Sequence, residues 1–432
     1  MGSDSTCGCS EYRELSRRNF LQASAGLGVG AFLAANAWVP RVAYAKSHRS
    51  GARDVVVSIY LRGAADGLSI CVPFADNAYY TNRPTLAVAR PDSADPNRCT
   101  ALDSHFGLPP AMGALLPAYQ DGKLLFVHAT GSMDPSRSHF EAQRFMETGK
   151  PGDQSIGTGW LGRHLSSVGA MVPGAPLRGV GIAAGLQKSL VGAPDTLPIS
   201  NLDTFGILGS GSTLTARRSA LTDMYTPTPD PLHSAALSTL TTIDMLNTIN
   251  FAGYVPANGA VYPSNTGFSY AMKTTAALIR AQVGVEAVAI DVGGWDLHDN
   301  LGPITGSMAN LMTTLSQTLG AFYRDVIAGN GPNVSVVVMS EFGRRLLENG
   351  NLGTDHGHGN MMMVLGQCVG GGRVLTQWPG LEPQNLFEGR DLQVTIDYRD
   401  ILSEIVQDRL GNNNVDAVFP GYTPTDRGVY SC

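Results

Sequence analysis

The densest run of metal-ligating side chains in the sequence is Gly353-Thr354-Asp355-His356-Gly357-His358-Gly359-Asn360. Three donors within four residues, separated by glycines that let the backbone close on an ion, point to metal binding, and two of the three would suffice. Gly293-Gly294-Trp295-Asp296-Leu297-His298 places an acid and an imidazole two residues apart, so both can converge on one centre. Arg62-Gly63-Ala64-Ala65-Asp66-Gly67-Leu68 carries an acid on a glycine-rich turn, suited to ligate a metal or orient a substrate. In Ser340-Glu341-Phe342-Gly343-Arg344, a glutamate follows an apolar run directly. Burying it is costly unless it ligates or is paired, and Arg344 is its local partner. Ser132-Met133-Asp134-Pro135-Ser136-Arg137-Ser138-His139 ends in a turn set by Pro135, after which Ser136 or Ser138 can cap a helix. A hydroxyl at a helix N-terminus beside cations suits a nucleophile toward phosphoryl groups, because the free amides stabilise oxyanions.

These clusters need elements to hold them. Asp54–Leu61, Lys123–His128, Glu286–Asp291, Val334–Ser340 and Met361–Gly366 are short apolar runs and predict buried strands. Pro109–Gln120, Ser138–Glu147, Ser307–Ile327 and Asp400–Leu410 have helical spacing. Strands alternating with helices predict an α/β fold, with a mostly parallel central sheet covered by helices on both faces. In such sheets the loops beyond the strand ends build the site, and the polar clusters fall on such loops. Residues 173–265 are irregular and rich in Ser, Thr, Pro and Gly, with one helix near Ser234–Asn250. They predict a cap insertion in a single domain spanning 46–432.

The composition agrees with a globular enzyme or binding protein. Of 432 residues, 43% are hydrophobic and 15% charged, which excludes a disordered chain or a coiled coil. The formal charge of −6 gives no support to nucleic-acid binding. Ser16-Arg17-Arg18-Asn19-Phe20-Leu21, a weakly apolar run from Ala23 to Val39, and Ala43-Tyr44-Ala45 predict a twin-arginine signal peptide over residues 1–45. The run is only about 17 residues long and interrupted by glycines, too short for a stable membrane span. A periplasmic or secreted protein is therefore expected. Beyond the signal, Cys71, Cys99, Cys368 and Cys432 allow up to two disulfides, with Cys71–Cys99 the first expectation because it is the nearest pair.

Together, the Asp66, Ser138-His139-Phe140, Asp296/His298, Glu341/Arg344 and His356/His358 motifs resemble domain-of-unknown-function family 1501. The resemblance runs in order over the whole chain beyond the signal. That family consists of exported bacterial proteins and is similar to the alkaline-phosphatase/sulfatase superfamily. Members of the superfamily hold one or two metals at the ends of a parallel sheet and hydrolyse phosphate or sulfate esters through a hydroxyl-type nucleophile. The resemblance implies an alkaline-phosphatase-like fold, with Asp66 as the first metal acid and Ser138, less so Ser136, as nucleophile. It implies Asp296 and His298 as a later ligand pair, Glu341 as a further ligand acid, and His356 or His358 as the last ligand.

Two departures stand out. Phe342 follows Glu341 where a histidine ligand is usual. Met133 stands where the sulfatase activation motif has Cys or Ser, and methionine cannot become formylglycine. The resulting expectation is an exported metal-dependent hydrolase of phosphate or related esters, using one or two divalent ions such as zinc, manganese or calcium. The ions would be held by some of Asp66, Asp296, His298, Glu341, His356 and His358, with Ser138 attacking and His139 protonating the leaving group or positioning substrate. Its partner is then a small-molecule or polymer ester. Genes of the family often neighbour another exported family, which implies an exported protein partner as well. The rival is a non-catalytic binding or assembly protein that keeps the fold. A glycosidase suits the residues less, because the acids sit among histidines.

Overall fold

A computed structural model describes residues 53–264, 266–329 and 331–431. The expected signal peptide and Cys432 lie outside the described residues. The strands are β1 (Val55–Leu61), β2 (Thr100–Ala101), β3 (Gly107–Leu108), β4 (Leu124–Gly131), β5 (Gly179–Gly181), β6 (Thr196–Pro198), β7 (Ala287–Val292), β8 (Val334–Ser340), β9 (Asn360–Gly366), β10 (Arg373–Leu375) and β11 (Ile396–Asp397). β2 and β3 form a separate hairpin; the other nine make one sheet in the order β10-β4-β9-β8-β1-β7-β5-β6, with β11 also on β4. Every pairing in that sheet is parallel except those of β9, which runs antiparallel to both β4 and β8.

The central strands are buried on both faces, so their sequences read as continuous apolar runs. Along β1 the side chains alternate between two apolar layers: Val57, Ile59 and Leu61 face one, Val56 and Tyr60 the other. The principal helices are α1 (His139–Thr148), α2 (Trp160–Ser167), α3 (Leu214–Tyr225), α4 (Leu232–Asn247), α5 (Gly267–Arg280), α6 (Ser307–Phe322) and α7 (Tyr398–Glu404). α5 and α6 cover the first layer through Phe268, Met272, Met308, Met312 and Leu315. α2 and α7 cover the second through Trp160, Leu161, Leu165, Tyr398, Ile401 and Leu402. The α/β class, the mostly parallel sheet and the helices on both faces are thus as expected. No helix among the described residues is long and apolar enough to cross a membrane.

Two expectations are corrected. β5 and β6 fall inside the stretch expected to be a cap, yet β5 pairs with β7 and β6 with β5, so this part extends the sheet edge. With three residues each, and two glycines in β5, they are too short and too apolar-poor to show a strand period. Cys71 and Cys99 are free buried thiols. They pack into different apolar clusters, so closeness in sequence does not become a bond. Cys368 is disulfide-bonded.

His128, fully buried in β4, is held neutral. Its Nδ1 accepts from Ala129 N at 2.9 Å across a bulge where Ala129 takes φ +55, and its Nε2 donates to Cys71 O at 3.0 Å. Burial pushes its pKa down to about 4, and burial likewise takes His164 down to about 3. A base with a depressed native pKa stabilises the fold fully at neutral pH and loses that contribution as pH falls below the unfolded value. We expect denaturant-unfolding stability to drop between pH 7 and pH 4, with His128 accounting for about 3 kcal/mol. His128→Gln should flatten that slope in urea titrations at the two pH values, and an unchanged slope would refute the assignment.

Candidate metal centre

The strand directions bring the polar loops together. Leu61, Val292 and Ser340 are level in the β7-β1-β8 ladder, so the chains leaving these strands emerge side by side. Because β9 runs the other way, its first residue, Asn360, lies level with Thr130 near the end of β4. The Asp355–Gly359 segment therefore enters at the same sheet edge as the loops leaving β1, β4, β7 and β8.

Close contacts between these loops need glycine. Gly63 has φ +113, and a Cβ there would come within 2.5 Å of Asp296 N. A Cβ on Gly353 would meet His298 O at 2.1 Å. Between the loops lies Arg344, with almost no exposed surface. Its Nε donates to Ala64 O (2.7 Å), Nη1 to Thr354 O (3.0 Å), and Nη2 to Gly63 O (2.6 Å), Trp295 O (3.2 Å) and Asp296 Oδ1 (2.7 Å). One guanidinium thus ties together the segments after β1, β7 and β8 and the segment before β9.

At the centre, His139 Nε2, His356 Nε2 and Asp296 Oδ1 face one another. The separations are 3.0 Å between the imidazoles, 3.5 Å from His139 to Asp296 and 3.3 Å from His356 to Asp296. His298 Nε2 lies 3.0 Å from both His356 Nε2 and Asp296 Oδ1. Bonds of about 2.0–2.1 Å to a tetrahedral ion set its donors about 3.3 Å apart, the spacing of the first three atoms. The opposite ring nitrogens face acceptors. His139 Nδ1 donates to Glu341 Oε1 at 2.7 Å and His356 Nδ1 to Arg137 O at 3.0 Å, while His298 Nδ1 faces Asp355 Oδ1 at 3.5 Å. Carboxylates and carbonyls only accept, so these partners put a proton on Nδ1 and turn the Nε2 lone pairs inward. The donor set fits a divalent metal ion.

The charges follow from the same contacts. Burial works against the Asp296 carboxylate. Hydrogen bonds from His139, His298 and His356 and the charge of Arg344 outweigh it, holding the group far below the usual range. At His139 burial disfavours the cation, but Asp296 and Glu341 overcome it and raise the pKa to about 9. At His356 burial prevails, aided by the charges of Arg344 and His139, and its pKa falls. Without metal, His139 therefore carries the proton in the cluster, and metal entry would release it.

Of the residues singled out in the sequence, Asp296, His298, His356 and His139 meet at this point. Ser138 immediately precedes His139 as the N-cap of α1, and its side chain makes no capping hydrogen bond. Glu341 is buried one step back. Besides His139 it accepts from Gly63 N and Gln143 Nε2 at 2.8 Å each, so its lone pairs orient the ligand and its expected partner Arg344 lies elsewhere.

Asp66 points away from the cluster into a buried ion pair. Its oxygens accept from Arg83 at 2.5 and 3.0 Å and from Ser69 Oγ at 2.5 Å. His358 stacks on Phe387 with ring centroids 4.1 Å apart, and burial lowers its pKa to about 4. In both cases a neighbour distant in sequence has claimed the side chain. Gln143 and the bridging role of Arg344 escape a sequence reading, although Gln143 sits one helical turn beyond His139, on the same face of α1.

Asp66→Asn should cost about 3–5 kcal/mol by stranding Arg83, without changing zinc affinity. Glu341→Gln should leave the fold intact and weaken zinc binding about 10–100-fold in chelator competition. Reversed outcomes would return Asp66 to the ligand set and remove Glu341 from its supporting role.

A family model described as "Protein of unknown function (DUF1501)" matches residues 53–417. No curated protein sequence matches the chain. Among solved structures, the chain is similar to the C-terminal periplasmic domain of EcEptC from Escherichia coli in complex with Zn. That likeness has 10% identity, covers 88% of this chain and 90% of that one, and has a TM-score of 0.37. Similarity this remote carries no weight for the site.

Proposed function

The chain belongs to the DUF1501 family, and we propose that it is a metal-dependent hydrolase of phosphate or related esters, with an alkaline-phosphatase-like arrangement of its sheet. The observation that carries the reading is the convergence of three imidazole nitrogens and one carboxylate oxygen from loops far apart in sequence, with the nitrogens' far sides already facing acceptors. His139, Asp296 and His356, with His298 beside them, would hold a divalent ion. When bound, such an ion polarises the ester and favours ionisation of the attacking group. An imidazole-rich set with one carboxylate suits zinc or a neighbouring transition metal better than calcium, which takes oxygen ligands.

The chain's own residues supply the rest. Arg344 keeps Asp296 ionised and turned toward the donors. Glu341 fixes the His139 ring, so His139 serves as a ligand and not as the acid for the leaving group. Ser138, the N-cap of α1 next to His139, would attack, and amides at the helix N-terminus would stabilise a developing oxyanion. Export through the Arg17-Arg18 signal to the periplasm or beyond belongs to the same proposal. So does an ester substrate in place of a nucleic acid, together with an exported protein partner.

The test is zinc- or manganese-loaded protein assayed on nitrophenyl phosphate, bis-nitrophenyl phosphate and nitrophenyl sulfate. Turnover is expected, with kcat/KM falling about 100-fold or more in His356→Ala as metal retention is lost. Ser138→Ala should lower kcat by a similar factor while the metal stays bound. Metal-loaded, folded protein without turnover on any ester would replace this reading with that of a non-catalytic binding protein.

A further inference from the structure

We infer that the centre accepts a single divalent ion, and that the guanidinium of Arg344 fills the position a second ion would need. This rests on the metal reading above and adds the ion count and the group that enforces it. His139 and His356 close a triangle with Asp296 on one side of the cluster. On the other side, Arg344 lies against that same carboxylate oxygen and against the donor outside the triangle: Nη2 is 2.7 Å from Asp296 Oδ1 and Nη1 is 3.4 Å from His298 Nε2. It cannot swing aside, because the same group is bonded to Gly63 O, Ala64 O, Trp295 O and Thr354 O in a buried setting.

Three other acids of these loops already have partners. Asp66 is closed by Arg83 and Ser69. Glu341 is closed by His139, Gly63, Gln143 and Ser340. Asp355 is taken by Arg345, Asn349 and the outer nitrogen of His298. Among the described residues, Asp296 is the acid whose oxygen faces the inner, Nε2 side of the imidazoles, and Arg344 is its cationic partner. A second ion would meet both the first ion and the fixed guanidinium at close range, while Glu341 and Asp355 reach the cluster only through the outer nitrogens of His139 and His298.

The experiment strips the full chain with chelator, reloads it with zinc or manganese, and measures bound metal after dialysis. The manganese form is also examined by electron paramagnetic resonance. One equivalent per chain and the spectrum of an isolated manganese ion are expected. Two equivalents with an exchange-coupled spectrum would overturn the single-ion inference and leave the metal reading standing; no retained ion would overturn both. Arg344→Ala should admit a second equivalent. If that variant stays folded and still binds one, the guanidinium is not what limits the count, and its assignment falls. Should Arg344→Ala not fold, Arg344→Gln, which drops the charge but keeps a donor, is judged by the same two outcomes.

Discussion

Burying a guanidinium without satisfying its donors is strongly unfavourable, and that cost shapes this molecule around Arg344. Its N–H groups reach four backbone carbonyls and one carboxylate, drawn from the loops after β1 and β7 and from the segment leading into β9. A planar, always-charged group with fixed donor directions fits only one arrangement of these acceptors. Any opening of the loops leaves a buried cation partly unpaired, at several kcal/mol, so the loops close together or not at all. The glycines at 63 and 353 remove the side chains that would keep the strands of this knot apart.

Within that frame the imidazoles are set by groups that never reach the centre. Glu341, the Arg137 carbonyl and Asp355 face the outer nitrogens, which decides both tautomer and ring direction. A charge on Glu341 is tolerated in the interior because a backbone amide, an amide side chain and an imidazole share it, and its pKa is lowered despite burial. The same buried-acid logic, applied to Asp66, leads to a structural ion pair instead. Asp66 and Glu341 look alike in sequence, each an acid just beyond a buried strand, and differ only in whether an arginine or a histidine reaches them.

The strands of the sheet centre were legible because both their faces are buried, which leaves dense β-branched runs such as Val334–Val338. β5 and β6 were not, since a three-residue edge strand carries too few side chains to show a pattern. Among the site residues, His356 and the Asp296/His298 pair were legible from composition and spacing alone. His358 was an equally good candidate by those criteria. It is lost because the backbone turn places it against Phe387, a contact no local pattern encodes.

What the amino-acid order determined by itself was the central strands and several of the helices, the chemical type of each loop, and the placing of the polar loops at strand ends, all consequences of local periodicity and of the cost of burying charge. Strand direction was decided only by the tertiary structure. The double-histidine loop precedes its strand, whereas the other polar loops follow theirs. In a wholly parallel sheet it would lie at the far edge, away from Asp296. The reversal of β9 between β4 and β8 brings it back. Hydrophobic patterning is the same read in either direction, so that reversal could come only from how the strands pair.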